Sequence, residues 1–290
     1  MMHPEVEKIK FAEIDPTKYK NRFVEIFGMN IAYKDIGDGP VIFCLPPWPS
    51  SSLTYLPLSL ALRKHYRMIS LDLPSFGGNS SRMVLEPTVE NYAKVVEEFI
   101  KNFDINSYSI IAYSFGGTLA QVLLNNTEFK PDKIVYISTI HSGGGIYERW
   151  HRLFNLYFKI KMLPIPSYIL KRTIKYFLFR RFGPTYSFKR YHNTKLFKEI
   201  LNEDLKCHIQ DLLFSITSLM KGEYLKEFKR KINSTMIVGD SDALYIKTES
   251  LEIAKELGIE PIILNDCDHN HLFFAVNKSS QLILDFLKGN

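Results

Sequence analysis

Five short, almost wholly apolar runs recur along the chain, and they restrict its fold more than any other feature. They lie in VIFCL (41–45), YRMISLDL (66–73), SYSIIA (107–112), KIVYIST (133–139) and STMIVGD (234–240). A strand with one wet face alternates apolar and polar residues. A short run without that alternation fits a strand covered on both faces, as in a parallel sheet. Helical patterns separate the runs. Val89, Tyr92, Ala93, Val96, Phe99 and Ile100 fall at i, i+3, i+4, i+7 spacings, and a second amphipathic stretch follows Ser114. Strands alternating with helices argue for βαβ units and a mostly parallel, doubly wound α/β sheet. Ahead of them, RFVEIFG and MNIAYKDIG flank a glycine and read as a hairpin.

The rhythm breaks after Thr139. HSGGGIYERW (141–150) is a glycine-rich exit, and about ninety residues of helical and aromatic character follow. It resumes at STMIVGD, with a helix expected around Thr248–Leu257 that Gly258 caps, strand PIIL (261–264), and a last helix opening near Ser279. The division this implies is a core of residues 1–140 and 232–290, with residues 141–231 inserted as a helical cap after the sixth strand. Residues 148–231 carry 19 Lys and Arg against 7 Asp and Glu, in a chain whose totals are 37 and 31, so the insertion is basic and its flanks together are acidic. Within it, RWHRLFNLYFKIKMLPIPSYILKRTIKYFLFRRF interleaves aromatics with Arg and Lys. Such side chains suit an apolar pocket mouth, and a weak contact of the basic face with anionic membrane surface is a second expectation. A nucleic-acid-binding motif is absent from the sequence. Three widely spaced cysteines, Cys44, Cys207 and Cys267, suggest neither a disulfide framework nor a zinc site, and the N-terminal residues lack the apolar core of a signal peptide. A reducing cytoplasm is the expected compartment.

Chemistry-bearing residues stand at the ends of the apolar runs. Ala112-Tyr113-Ser114-Phe115-Gly116 lies between a strand and a helix. Small residues on either side of a serine permit a turn sharp enough to push its hydroxyl outward. Asp240 and Asp242 follow the run at 234–239, and His269 and His271 follow PIIL. In open α/β sheets ligands gather at the carboxyl ends of strands. Ser114, Asp242 and His269 thus occur in the order nucleophile, acid, base. A serine hydroxyl needs a histidine to take its proton, and the histidine needs a carboxylate to fix its tautomer.

With these residues in place the chain resembles the α/β-hydrolase superfamily, in its capped serine esterase and lipase-like branch. The likeness rests on IAYKDIGDGPVIFCLPPWPSSS (31–52), YRMISLDLPSFGGNS (66–80), the serine turn, GDSDAL (239–244) and DCDHNH (266–271). The resemblance implies about eight strands, a lid, no cofactor and no metal. It implies Ser114 as nucleophile, Asp242 as acid and His269 as base, with Asp240 and His271 as fallbacks. The backbone N–H groups of Trp48 and Phe115 would form the oxyanion hole. The chain departs from the family in having Pro46-Pro47 where His-Gly is usual, and Ser75 where glycine is common. Proline carries no N–H, so the position of Trp48 in that loop matters. The activity implied is cleavage of a small or medium-chain carboxylic ester, such as a monoacylglycerol, with an apolar acyl group. A catalytically silent binding protein on the same fold and a proline-iminopeptidase-like peptidase stay open. Dehalogenases and epoxide hydrolases of the superfamily use aspartate at the turn, which Ser114 disfavours.

Overall fold

The computed structural model describes residues 5–126, 129–142, 193–222 and 232–289. Eight strands form one sheet: β1 (Arg22–Ile26), β2 (Met29–Ile36), β3 (Val41–Leu45), β4 (Arg67–Leu71), β5 (Tyr108–Tyr113), β6 (Lys133–Ile137), β7 (Asn233–Gly239) and β8 (Ile262–Leu264). Their order is β1-β2-β4-β3-β5-β6-β7-β8. The β1–β2 hairpin and the β2–β4 pair are antiparallel, and every other pairing is parallel. This is the α/β-hydrolase architecture that the motifs imply.

The helices described are α1 (Leu56–Leu62), α2 (Val89–Lys101), α3 (Phe115–Asn126), α4 (Lys195–Asp204), α5 (Ile209–Lys221), α6 (Leu244–Leu257), α7 (His271–Phe274) and α8 (Val276–Lys288). Strand β3 shows why the apolar runs lack alternation. All five of its residues are buried. Val41, Phe43 and Leu45 join one apolar layer with α2, α3, α5 and α6, while Ile42 and Cys44 join a second with α1 and α8. Strand β5 divides its residues the same way, Ile110 and Ala112 to the first layer and Ile111 and Tyr113 to the second. A side chain points to alternate faces in a strand, so two covered faces demand an unbroken apolar sequence.

Three details differ from the sequence reading. Helix α1 was not expected; all seven of its residues are buried, so it shows no contrast between a wet and a dry face. Helix α6 opens at Leu244, a turn before Thr248, and Gly258 caps it at φ +70°. The last helix opens at Val276, directly after the short α7. Of the expected cap at 141–231, residues 193–222 form α4 and α5. Residues 143–192 and 223–231, which carry most of the basic and aromatic stretch, lie outside the described residues. Among the described residues no helix is long and apolar enough to cross a membrane.

Candidate active site

The sheet order fixes where a site can form. The chain leaves β3 towards β4 on one side, then returns to β5 on the other. The carboxyl ends of β3 and β5 thus lie side by side at a topological switch point, where loops diverge and leave a crevice. Leu45 pairs with Ala112 in register. Trp48 therefore lies three residues beyond this pair and Ser114 two, on the same edge of the sheet.

Ser114 sits between β5 and α3 at φ +52°, a region that non-glycine residues enter only under constraint. The constraint is visible. The Ser114 N–H donates to the Ile137 carbonyl at 2.8 Å, and the Ser114 carbonyl accepts from the Gly117 N–H at 2.9 Å. Gly116 passes so close to β3 that a Cβ there would lie 2.2 Å from the Leu45 carbonyl oxygen. Phe115 is the first residue of α3, so its N–H belongs to the helix-opening donors that have no partner within the helix.

Asp242 and His269 come from the loops after β7 and β8. His269 Nδ1 lies 3.1 Å from Asp242 Oδ2, with the Asp242 side chain fully buried and that of His269 a quarter exposed. Burial works against ionisation of Asp242, but the neighbouring His269 and the Ala243 N–H at 2.9 Å hold its pKa below the usual carboxylate value. Burial likewise disfavours the His269 imidazolium, yet the Asp242 carboxylate, with Asp268 adding to it, leaves the pKa raised. Tyr113 ties this pair to the serine turn. Its hydroxyl donates to the His269 carbonyl, and the two rings lie 5.0 Å apart. Among the described residues no hydrogen bond joins the Ser114 hydroxyl to His269, a contact that in unliganded sites often tightens only with substrate.

The fallback residues have other partners. Asp240 Oδ1 accepts from the Cys267 N–H at 3.1 Å and from the Ser241 hydroxyl at 3.1 Å, bracing the β7 and β8 loops together. His271 is buried, with Nδ1 3.0 Å from Ser279 Oγ, and burial pushes its pKa down to about 4. Trp48 begins the loop that closes with Ser50 N–H donating to the Pro47 carbonyl at 2.9 Å. The Trp48 indole Nε1 donates to Ser215 Oγ of α5 at 3.1 Å.

Several supports carried no sequence signal. Tyr113 is read from the sequence as part of the serine turn, yet it ends β5 and its hydroxyl reaches the histidine loop. Tyr55 sends its hydroxyl under the sheet edge to the carbonyls of Leu45, at 2.7 Å, and Ile111, at 3.2 Å. Ser215, Glu203 and Asp204 lie on α4 and α5, between β6 and β7 in the chain, and touch the 48–51 loop.

Residues 42–277 match the profile of a family described as the alpha/beta hydrolase family. The mouse mesoderm-specific transcript protein is 26% identical over 181 residues, covering 58% of this chain and 54% of its own. Haloalkane dehalogenase 2 of Mycobacterium bovis is 26% identical over 131 residues, covering 40% and 46% respectively. The chain thus spans about half the length of the curated relatives it matches. Among solved structures, an esterase from Exiguobacterium antarcticum superposes with a TM-score of 0.75 over 93% of this chain and 100% of its own, at 15% identity.

Proposed function

The chain belongs to the alpha/beta hydrolase family, and from that premise we propose that it is a serine hydrolase that cleaves a carboxylic ester through an acyl-enzyme. The observation that carries this reading is the buried Asp242–His269 pair at 3.1 Å, tied by Tyr113 to a serine turn at φ +52°.

In this reading Ser114 Oγ attacks the ester carbonyl while His269 Nε2 takes its proton. The Oγ–C bond forms, and the carbonyl oxygen becomes an oxyanion facing the N–H groups of Trp48 and Phe115. Collapse breaks the C–O bond to the alcohol, which leaves with the proton from His269. Water then repeats the sequence and frees Ser114. Asp242 holds the Nδ1–H tautomer and stabilises the imidazolium. The aromatic composition of residues 141–231 favours an apolar acyl group of small to medium length. A serine at the turn separates this chain from an aspartate-based dehalogenase mechanism.

The test is fluorophosphonate labelling read by intact mass, with wild type beside Ser114→Ala and His269→Ala. One adduct on wild type, absent from both variants, is the expected result. Folded wild type without an adduct would overturn the hydrolase reading in favour of a binding protein. A p-nitrophenyl ester series of increasing acyl length then reads the substrate class.

A further inference from the structure

Residues 46–49 read Pro-Pro-Trp-Pro, so Trp48 alone among them has a backbone N–H. The Ser50 N–H returns to the Pro47 carbonyl at 2.9 Å, but the three prolines can donate nothing further from the main chain. The loop's side chains are held from outside. The Trp48 indole donates to Ser215 Oγ at 3.1 Å, and Ser215 Oγ in turn donates to the Leu212 carbonyl at 2.8 Å, which fixes its lone pairs. Two residues on, the Ser50 hydroxyl donates to Asp204 Oδ1 at 3.0 Å and lies 2.7 Å from Thr54 Oγ1. The Ser51 hydroxyl donates to Glu203. Ser215 belongs to α5, and Glu203 and Asp204 end α4.

Helix α5 is itself pinned to the core. Asp211 of α5 accepts from the Ser75 hydroxyl at 2.6 Å and from Arg82 at 3.0 and 3.1 Å. The His208 N–H donates to the Ser75 carbonyl at 2.9 Å, and Ser218 Oγ accepts from the Val89 N–H at 3.2 Å. Ser75 stands at φ +67°, where a side chain is strained, and its hydroxyl is what reaches Asp211. A continuous chain of bonds therefore runs from the Ser75 loop through α5 to Trp48.

We propose that Ser215, supported by Glu203 and Asp204, is a positioning residue: it clamps the 48–51 loop so that the Trp48 N–H faces the oxyanion. This rests on the serine-hydrolase reading above. The clamp would act only where negative charge develops, because its target is a donor that strengthens in the transition state. It lowers the rate of the chemical step when broken and leaves binding of the ground state alone.

A fluorophosphonate serves as the probe, because its phosphoryl oxygen occupies the oxyanion position whatever the natural substrate is. Ser114 Oγ forms a bond to phosphorus, fluoride leaves, and the serine proton goes to His269. The maximal inactivation rate and the half-saturating probe concentration are measured for wild type, Ser215→Ala, Ser215→Thr, Trp48→Phe and the double variant Trp48→Phe/Ser215→Ala. Complete loss of an oxyanion donor costs about 10²–10³ in rate, and a donor that is merely displaced should cost about tenfold. The expected result is that fall in maximal rate for Ser215→Ala at unchanged half-saturation, recovery in Ser215→Thr, and a double variant no slower than either single one. Trp48→Phe breaks the same bond from the other end, so the proposal stays testable if Ser215→Ala does not fold. A labelled wild type with variants of equal rate, or with altered half-saturation only, overturns the clamp and leaves the hydrolase standing. A wild type that takes no label overturns both.

Discussion

The serine turn and the loop that faces it are built in opposite ways. Residues 112–117 are held by their own backbone and by neighbouring strands: the Ser114 N–H reaches β6, its carbonyl meets Gly117, and Gly116 presses against Leu45. Residues 46–51 are proline-rich; beyond the Ser50 N–H to Pro47 carbonyl bond, their side chains are held by α4 and α5, more than 150 residues away in sequence. One element carries its geometry locally, and the other borrows it. A locally determined turn tolerates change elsewhere in the chain, whereas a borrowed geometry is only as fixed as its lender. Perturbing the turn should therefore abolish chemistry or folding outright, while perturbing the loop's supports should tune the rate.

The largest effect falls on the turn. Ser114→Ala should remove the adduct and lower ester turnover by about 10⁶, the scale on which loss of a serine nucleophile acts. A residual rate within tenfold of wild type would place the nucleophile elsewhere and dissolve the comparison. Next comes the acid. Asp242→Asn keeps the shape but disturbs the His269 tautomer, for an expected loss of about 10⁴ in turnover. Asp240→Asn should change the rate by less than about threefold, because Asp240 braces loops rather than touching the histidine. Equal losses in the two variants would show that the carboxylates share the role.

Gly116→Ala probes the turn's packing. The new methyl would meet the Leu45 carbonyl at 2.2 Å, and backbone on both sides leaves little room to yield. We expect a loss of about 3 kcal/mol in denaturant unfolding, at the upper end of overpacking costs. A change below about 1 kcal/mol would mean that the strand and helix separate easily, and the turn would then be no more rigid than the loop.

The contrast also explains what could be read from the sequence. Ser114, Asp242 and His269 each follow an apolar strand within a few residues, so local pattern placed all three on one sheet edge. The Asp242–His269 bond spans 27 residues, but each end is announced by its own strand. Ser215, Glu203 and Asp204 had no such marker. They sit on amphipathic helices, where polar residues ordinarily face water, and their partners lie 167, 152 and 154 residues away. Helix α1 escaped for the converse reason: burial on all sides erases the 3.6-residue period. Tyr113 was legible as part of the serine turn but not as the group that ties its hydroxyl to the His269 carbonyl, since only the fold brings the β8 loop beside β5.

A pH effect separates the two histidines that follow β8, and their signs are opposite. His269 has a raised pKa, so its charged form is favoured in the folded chain by Asp242. Its contribution to stability is present below the unfolded value near 6.5 and is lost as pH rises through the folded value. His271 is the reverse. Burial holds it at about 4, so folding keeps it neutral beside Asp242, His269 and Asp268. Between pH 6.5 and about 4 the unfolded chain binds a proton that the folded chain refuses, and stability falls as pH falls. The full shift corresponds to about 3 kcal/mol. His271→Gln, which keeps a polar group for Ser279, should flatten unfolding free energy between pH 6.5 and 4 and leave the region above 6.5 as it was. Asp242→Asn should flatten the region above 6.5 instead. Because the two windows do not overlap, one series of denaturant titrations resolves both, and a slope below pH 6.5 that survives His271→Gln would assign the acid sensitivity to carboxylates rather than to the buried ring.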